Sequence, residues 1–337
     1  MIHSPYLLFL GDAPDIATAK TAAGIRQWRP ELCAGQFRLP GCRVDLGLPD
    51  LTPAQAAASG IRTLILGIAN DGGFIAPAWI AAIVEALRAG LDVASGLHEP
   101  LAGVPEIAAA AHRAGRELIE VRRPAESFKP GTGRKRSGMR LLTVGTDCAV
   151  GKKYAALAIE KELRARGVDA DFRATGQTGI FISGRGVAVD SVVSDFVSGA
   201  AEWLSPDAAP NHWDVIEGQG SLFHPAYAGV TLGLIHGSQP DAMVLCHDLA
   251  RTEIADYPGF AIPGYESAFV AYLAAARLTN SAVRFVGVCL NTSSLGDGAA
   301  RGALAAVSQG VCLPCCDPIR GGVAPIVDEM TRVTQVR

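Results

Sequence analysis

Short apolar runs alternate with longer alanine-rich segments over the first 123 residues. Four of the runs have the length and composition of β-strands: Leu7–Leu10, Thr63–Ile68, Leu91–Ala94 and Glu117–Val121. Alanine-rich segments at Pro77–Arg88 and Pro105–Ala114 lie between the later runs and are typical of helices. Because strands that alternate with helices form parallel sheets through crossover connections, this pattern predicts a parallel α/β domain.

The same alternation continues in the second half of the chain. Its predicted strands are Leu141–Val144, Asp169–Arg173, Asp214–Glu217, Ala242–Cys246 and Arg284–Leu290. The apolar spacing of Tyr154–Arg166 predicts a helix, and a shorter helix is predicted at Pro225–Ile235. A further helix is expected to begin near Val189, with Asp190 and Asp195 capping or solvating it. This half is therefore a second parallel α/β unit.

A segment rich in proline, glycine and basic residues separates the two halves. It spans residues 124–138 and reads PAESFKPGTGRKRSG, a composition typical of linkers. At 337 residues the chain has the length of two domains of about 150 residues each. We therefore predict an N-terminal domain at 1–123, a linker at 124–138 and a C-terminal domain at 139–337.

The stretch LLTVGTDCAVGKKY, which begins at Leu141, leads from an apolar strand through a glycine-bounded loop into a helix. In this layout backbone N–H groups at the helix N-terminus bind an anion and a lysine neutralises it. The predicted phosphate cradle consists of Gly145, Thr146, Asp147, Cys148, Ala149, Val150, Gly151, Lys152 and Lys153. The fold prediction is thus a Rossmann-like parallel-sheet domain followed by a P-loop NTPase-like, doubly wound α/β domain.

The cradle departs from the usual P-loop in one respect that affects its chemistry. Five residues separate Gly145 from Gly151, one more than in the GxxxxGK[ST] form, and Lys153 stands where a Ser or Thr would hold magnesium. The phosphate-binding features are retained, whereas the metal ligand is lost. We therefore expect a phosphorylated ligand to bind without a resident metal and without a requirement for magnesium.

Composition and charge argue against nucleic acid and membranes as partners. Apolar residues make up 49% of the chain, and its formal charge of −3 gives no electrostatic footprint for nucleic acid. No apolar run approaches the roughly 18 residues that cross a bilayer, and the N-terminus lacks the basic region of an export signal. We expect a soluble, cytoplasmic protein that has no membrane partner and forms a homo-oligomer.

The eight cysteines are expected to be free thiols, because a chain of this length without an export signal is not a disulfide scaffold. Cys312, Cys315 and Cys316 form a CxxCC cluster. No second cysteine or histidine pair follows at metal-binding spacing, so the sequence predicts no metal site there.

Polar side chains follow two predicted strands of the second half. The sequence FRATGQTG has Arg173 at a strand end and Gln177 and Thr178 in a glycine-bounded turn. The sequence EGQG has Glu217 at the tip of the next strand, with Gln219 two residues later. Because the carboxyl ends of parallel strands meet at one edge of the sheet, these two loops and the cradle are predicted to form one crevice.

The motifs GTDCAVGKK, FRATGQTG and EGQG resemble those of the dethiobiotin-synthetase branch of P-loop proteins. The resemblance implies that Lys152 holds phosphate and that Arg173 takes the position of a catalytic lysine. It also implies that Thr178 contacts the substrate and that Glu217 is a metal ligand. An ATP-dependent ligase or kinase is therefore one candidate function.

A second resemblance covers essentially the whole chain. It is carried by AKTAAGIRQWRPE at 19–31, SGLHEPL at 95–101, the cradle, and EGQGSLFHPAYAGVTLGLIHGSQPD at 217–241. These motifs are similar to those of a two-domain family, formerly of unknown function, that includes D-glutamate N-acetyltransferases of the DgcN type. The resemblance implies acetyl transfer from acetyl-CoA to the amino group of D-glutamate, in the catabolism of D-amino acids.

This reaction sets requirements that the candidate residues can meet. An ammonium must lose a proton before its nitrogen attacks the thioester, and Glu217 or His224 is the candidate base. The oxyanion needs donors, for which we consider backbone N–H groups at 218–221 and the side chain of Gln219. Arg173 and Arg185 are the candidate cations for the two carboxylates of the substrate.

Two routes and one further class of function stay open. The amine attacks acetyl-CoA directly in a ternary complex, which we prefer, or Cys148 at the helix N-terminus first accepts the acetyl group. Direct attack needs no extra nucleophile. A non-catalytic nucleotide-binding sensor is the remaining alternative, and it would bind a ligand without forming a product.

Overall fold

The computed structural model describes residues 2–123 and 126–334; Met1, Pro124, Ala125 and residues 335–337 lie outside it. The first two residues of the predicted linker therefore fall outside the described chain. The chain divides into two compact units. The first comprises the chain up to Glu126 together with Gly176–Ser191, and the second comprises Ser127–Thr175 and the chain from Val192 onwards.

A five-stranded sheet forms the centre of the first unit, and all its strand pairs are parallel. Its strands are β1 (Tyr6–Gly11), β2 (Cys33–Arg38), β3 (Thr63–Leu66), β4 (Asp92–Ser95) and β5 (Leu118–Glu120), in the order β2-β1-β3-β4-β5. The four predicted strands are confirmed. The pattern missed β2, because CAGQFR contains few apolar residues, although its Gln36 is fully buried and bonds Asp45 and the backbone of Leu46.

The helices described in this unit before β5 are α1 (Lys20–Trp28), α2 (Pro53–Ala58), α3 (Pro77–Arg88) and α4 (Pro105–Ala114). The last three begin with a proline in the first turn. Proline suits this position because its missing N–H would have no partner inside the helix. Leu7 and Phe9 of β1 pack with Leu64, Leu66 and Ile83 in a core from which water is excluded.

The second unit contains a six-stranded parallel sheet in the order β11-β10-β9-β6-β8-β7. Its strands are β6 (Met139–Gly145), β7 (Ala170–Arg173), β8 (Trp213–Ile216), β9 (Ala242–Asp248), β10 (Arg284–Asn291) and β11 (Cys315–Cys316). The five predicted strands are confirmed, and β11 is the short addition. The predicted P-loop strand β6 lies between β8 and β9, so the loops after these three strands share one edge of the sheet.

The helices of the second unit are α5 (Lys152–Ala165), α7 (Val197–Leu204), α8 (Ala228–Ser238), α9 (Tyr265–Arg277), α10 (Asp297–Val311) and α11 (Ala324–Thr334). The predicted helix at Pro225 begins instead at Ala228. The helix predicted from Val189 is wrong: Asp190 and Asp195 lie in two separate 3₁₀ turns that precede α7. Asp190 forms an ion pair with Arg122, which holds it outside a regular helix.

A further helix, α6 (Gln177–Ser183), belongs to the first unit although it follows β7 in sequence. A buried hydrogen bond of 3.2 Å joins the hydroxyls of Thr178 and Thr21, and Arg29 donates to the carbonyl of Ile182 at 2.7 Å. The sequence pattern had assigned this segment to the C-terminal domain. These long-range contacts explain why it packs against α1 and belongs to the first unit.

A fully buried arginine fixes the start of β6. The guanidinium of Arg140 donates to five backbone carbonyls, those of Arg136, Ser137, Gly138, Ser205 and Pro206. Burial of an arginine is costly unless such partners surround it. The last residues of the predicted linker are therefore held against the second unit.

All eight cysteines are free, as predicted. Cys246, Cys289 and Cys316 are buried register partners on β9, β10 and β11. Burial raises the pKa of Cys316 to about 11, which keeps this thiol protonated. Across the described residues, no helix has the length and apolar character needed to cross a membrane.

Candidate functional site

The loop from Gly145 to Gly151 has the backbone of an anion cradle. Ala149 lies at φ +54° and Gly151 at φ +102°, both in the left-handed region, and α5 begins directly afterwards at Lys152. No side chain caps this helix, so its first N–H groups point into the loop. The predicted cradle residues 145–153 thus come together at one helix N-terminus.

Lys152 is the buried cation of this loop. It is 6% exposed, and its Nζ donates to the carbonyl of Asp147 at 2.7 Å. Burial lowers its pKa, so an anion arriving next to the ammonium restores the charged form that desolvation disfavours. Lys153 instead has its Nζ 4.8 Å from the ring centroid of Tyr154 and supplies no hydroxyl for a metal.

A carboxylate inside the loop is fully satisfied by protein donors. Asp147 forms an ion pair with Arg251 and accepts N–H groups from Cys148 at 2.6 Å and from Ala255 at 2.9 Å. Arg251 and Ala255 belong to the long connection between β9 and α9. Asp147 therefore ties this connection to the cradle, a role that the sequence analysis missed.

Glu217 lies directly after β8, the strand next to the P-loop strand, and is 4% exposed. Its Oε2 accepts the N–H of Thr175 at 2.9 Å, while the Thr175 hydroxyl donates to the Glu217 carbonyl at 2.7 Å. The neighbouring Gly218 donates its N–H to the Thr143 hydroxyl at 3.0 Å. These contacts fix the predicted acid at the edge of the cradle.

Gly218 allows this close approach. A Cβ at this position would lie 1.7 Å from the Thr143 carbonyl oxygen and 3.1 Å from Cδ of Lys152. Strand β8 and the stem of the cradle lysine thus meet at a position that has no room for a side chain. The residue that follows Glu217 therefore lies against the stem of Lys152.

We expect Gly218→Ala to destabilise the protein by about 1–3 kcal/mol, the usual cost of forcing an extra carbon into a packed site. Thermal melts with and without CoA measure this, and both stability and ligand-induced stabilisation are expected to fall. Gly229→Ala on α8 is the matched control, because its added Cβ meets no described atom within 4 Å. Equal melting temperatures for the two variants would contradict the packing argument.

His224 lies in the β8–α8 loop and is 3% exposed. Its Nδ1 accepts the N–H of Ala226 at 3.1 Å, and its ring packs against Tyr227 and Tyr257 at centroid distances of 4.5 and 4.9 Å. A ring nitrogen of His224, a carboxylate oxygen of Asp147 and Sγ of Cys148 lie within 4.8 Å of one another. His224 is therefore part of the site and lies beside Asp147 and Cys148 of the cradle loop.

Gln219, the other predicted residue of this loop, is half-buried, and its backbone carbonyl accepts the Thr231 hydroxyl at 2.7 Å. The same hydrogen bond ties the loop to α8. Gln219 therefore positions the loop through its backbone, and the predicted donor role of its side chain stays a prediction.

Two further residues support the cradle and were missed. The hydroxyl of Tyr272 on α9 donates to the Gly145 carbonyl at 2.6 Å and accepts the N–H of Leu222 at 3.2 Å. His247 at the end of β9 shares a hydrogen bond of 3.0 Å with the Thr146 hydroxyl. His247 lies at the end of β9 and Arg251 shortly after it, which is a detectable signal, whereas nothing in the local sequence distinguishes Tyr272.

A pocket of about 370 Å³ adjoins the cradle on the side of β10 and β11. One wall comes from the loop and the first turn of α5, and the opposite wall comes from the ends of the two strands. Its lining residues are Ala149, Val150, Gly151, Tyr154, Cys289, Leu290, Asn291, Ser293, Asp317, Pro318, Ile319 and Arg320. A volume of this size suits a ring system of a small ligand.

The predicted substrate residues are distributed differently from the cradle. Arg173 donates from Nε to the buried Asp214 at 2.5 Å, and its guanidinium lies 3.2 Å from the carboxylate of Asp171. Because both acids precede the carboxyl ends of their strands, the guanidinium points away from that edge of the sheet. Gln177 and Thr178 lie on α6, and Arg185 follows that helix, all in the first unit. Their contact with substrate stays a prediction.

Comparison with known proteins gives two family matches along the chain. Residues 128–327 match the domain of unknown function DUF1611, described as a P-loop domain. Residues 37–124 match the N-terminal domain of the same family, described as Rossmann-like. The predicted fold class of both domains is thereby confirmed.

Several proteins are similar to the chain over almost its whole length. A D-glutamate N-acetyltransferase from Tritonibacter scottomollicae is 48% identical and covers 99% of this chain and 100% of its own. One from a Pseudoalteromonas species is also 48% identical, over 97% of this chain and 98% of its own. A crystal structure of a DUF1611 family protein from Anabaena variabilis has a TM-score of 0.87 at 31% identity, covering 98% and 100% of the two chains.

Proposed function

This chain belongs to the two-domain DUF1611 family, and we propose that it is an N-acetyltransferase that moves an acetyl group from acetyl-CoA to the amino group of D-glutamate. The names of the two relatives at 48% identity support this activity and this substrate. The structural observation that carries the proposal is the buried carboxylate of Glu217 beside an anion cradle whose lysine is also buried. One part binds a phosphorylated donor, and the other accepts a proton.

The cradle suits the diphosphate of CoA, and the neighbouring pocket suits its adenosine. The diphosphate binds at the α5 N-terminus and Lys152, while the adenosine enters the pocket between Tyr154 and the strand ends at Asn291 and Asp317. Because Glu217 adjoins the cradle, the flexible pantetheine arm folds back over the loop to bring its thioester to this acid.

The chemistry requires a base, an electrophile and a leaving group. Glu217 takes a proton from the ammonium of D-glutamate, and the freed nitrogen attacks the thioester carbon in a ternary complex. The carbonyl electron pair moves to oxygen, with the backbone N–H groups at 218–221 and the side chain of Gln219 as candidate donors. The intermediate then collapses as the C–S bond breaks, and the departing CoA thiolate takes up the second proton that the nitrogen loses when it becomes the amide.

The geometry around Cys148 supports direct attack over an acetylated cysteine. Burial raises the pKa of the Cys148 thiol, although the charge of Lys152 partly offsets this effect. Its neighbour His224 already accepts the Ala226 N–H at Nδ1, so in the neutral ring the other nitrogen carries the proton. Neither nitrogen of His224 is then able to take the thiol proton.

The residues do not fit a divalent metal. P-loop sites hold magnesium through a Ser or Thr after the lysine, and this chain has Lys153 there. Asp147, Cys148 and His224 offer three possible ligand atoms. However, the cations Arg251 and Lys152 lie beside them and oppose a second positive charge.

We therefore expect acetyl transfer to proceed at an unchanged rate in EDTA. The measurement is initial velocity with a chelator present throughout, and protein first dialysed against that chelator is the control for a tightly held ion. Loss of activity with recovery on adding magnesium would favour the ATP-dependent ligase or kinase instead.

A product assay tests the proposed function directly. The protein is incubated with acetyl-CoA and a panel of D- and L-amino acids, and mass spectrometry identifies the acetylated product. N-Acetyl-D-glutamate is the expected product, and Arg185, Gln177 and Thr178 are the proposed contacts for its carboxylates.

Thermal shifts with acetyl-CoA, CoA, ATP and magnesium-ATP identify the donor, since a ligand at a hundredfold excess over Kd stabilises the folded protein by about 2.7 kcal/mol. Binding without any product would indicate a sensor.

The cytoplasm is the proposed compartment, because eight free thiols persist in a reducing environment. Homo-oligomer formation is part of the same proposal. Sedimentation of the purified protein tests it.

A further inference from the structure

The side chain of His224 is held in one orientation by its surroundings. Its backbone N–H donates to the Ser221 carbonyl at 3.1 Å, and its ring packs between Tyr227 and Tyr257. Tyr257 belongs to the β9–α9 connection, which Asp147 ties to the cradle. The imidazole therefore cannot turn away from Asp147 and Cys148 without disturbing its own loop and the β9–α9 connection.

The hydrogen bond from Ala226 fixes the tautomer of this ring. A backbone N–H only donates, so Nδ1 must offer its lone pair, and the proton of the neutral imidazole then lies on Nε2. Protonation of Nδ1 would put two hydrogens against each other and break this bond. The ring is thus built as a hydrogen-bond donor and not as a proton acceptor.

The proton on Nε2 lacks an acceptor among the residues that the structure describes. The hydrogen bond that the ring makes there is the one at Nδ1, and His224 as a whole is 3% exposed. A donor that meets no protein acceptor beside an anion cradle is available to a ligand. The Asp147 carboxylate, which accepts from Arg251 and two N–H groups, and the Cys148 thiol lie close to the ring.

We propose that Nε2–H of His224 donates to the thioester carbonyl oxygen of acetyl-CoA and stabilises the oxyanion that forms when the amine attacks. This assignment rests on the proposed function and makes His224 a catalytic residue distinct from the base Glu217. When the nitrogen–carbon bond forms, the C=O electron pair moves onto oxygen and strengthens its hydrogen bond to Nε2. When the C–S bond breaks, the carbonyl re-forms and the bond weakens again. No proton leaves the imidazole.

The tautomer is tested without any assay of activity. Nitrogen-15 NMR of the full-length protein with labelled histidine, assigned by the loss of one signal in His224→Gln, reports the protonation of each ring nitrogen. We expect Nε2 protonated and Nδ1 unprotonated at neutral pH, with and without CoA. An Nδ1-protonated ring or an imidazolium would overturn the assignment even if acetyl transfer occurs.

Kinetics separate a donor from a base. Glutamine carries an N–H donor close to the position of Nε2 but takes up no proton, whereas alanine provides neither function. We expect His224→Ala to lower kcat by about ten- to a hundredfold, as for loss of one hydrogen bond to a charged group, and His224→Gln to recover most of it. The KM for acetyl-CoA is expected to stay near its wild-type value in both variants.

Equal loss in the glutamine and alanine variants, together with loss of the acidic limb of the pH–rate profile, would overturn the proposal and make His224 the base. If wild-type protein forms no acetylated amino acid, the proposed function fails. The NMR result then still decides whether His224 is a fixed donor. Thermal melts of His224→Gln accompany the kinetics, so that a loss of fold is not mistaken for a loss of chemistry.

Discussion

Replacing Lys152 with alanine is expected to raise the Kd for CoA by about a hundredfold or more. Truncating one partner of a desolvated charge pair costs about 2–5 kcal/mol, and each 1.4 kcal/mol corresponds to a factor of ten in Kd. Lys152 meets the condition for this large effect because it is 6% exposed and lies at the helix N-terminus that forms the cradle. Calorimetric titration of CoA into the purified variant measures the change.

The fold is expected to survive this substitution, because the ammonium of Lys152 makes one hydrogen bond, to the Asp147 carbonyl. Lys152→Met is a useful second variant, since it keeps the stem that packs on Gly218. Lys161→Ala, an exposed lysine on the same helix, is the matched control and should bind CoA normally. Wild-type affinity in both Lys152 variants would show that phosphate binds elsewhere.

Replacing Glu217 with glutamine is expected to lower kcat by about 10²–10⁴-fold while CoA affinity changes little, because proton transfer by a positioned base contributes on this scale. Glutamine keeps the shape of the side chain and can still accept the Thr175 N–H that now bonds Oε2. The change therefore removes the proton acceptor without removing the contact that positions it. Steady-state rates over a range of pH, at saturating acetyl-CoA, provide the measurement.

Glu266→Gln, in the exposed first turn of α9, is the control for loss of a negative charge and should retain full activity. The comparison with His224→Ala decides between the two candidate bases. A near-normal kcat in Glu217→Gln, with activity abolished in His224→Ala, would transfer the role of base to the histidine. It would contradict the donor role proposed for that residue as well.

The cradle and the acid beside it could be predicted because each is encoded over a short stretch of sequence. A strand, two glycines, a lysine and a helix occupy about fifteen consecutive residues, and Glu217 follows a buried strand directly. Because the carboxyl ends of parallel strands share one edge of the sheet, the cradle and Glu217 are then expected to lie close together. In the structure, a Cβ added at Gly218 would lie 3.1 Å from Cδ of Lys152, so the loop after Glu217 adjoins the cradle lysine.

The supporting contacts of the site could not be predicted in the same way, since they join residues that are distant in the chain. Asp147 and Arg251 are 104 residues apart, and Tyr272 reaches Gly145 over 127 residues. A local pattern contains no information about such pairs. His247 lies at the end of β9 and Arg251 follows it, so extending the search for polar strand ends to that strand identifies both as candidates.

Arg173 shows what a strand-end position leaves out. Its place there makes it a candidate cation for the substrate carboxylates, and the neighbouring strand supplies Asp214, which is 1% exposed and pairs with it. A buried carboxylate without such a partner is strongly disfavoured, so the arginine is held by it. Similarly, Gln177 and Thr178 follow β7 in sequence, yet the hydrogen bond to Thr21 assigns their helix to the first unit.

The carboxylate of Asp147 within the cradle has a consequence for turnover. Lys152 and Arg251 contribute +2 and Asp147 contributes −1, so these three side chains present a net charge of +1 to a ligand that carries several negative charges. A cradle of two uncompensated cations would hold spent CoA more tightly and slow its departure. In many enzymes product release limits the rate, so under the proposed function an internal counter-ion favours rapid exchange of spent CoA for fresh acetyl-CoA.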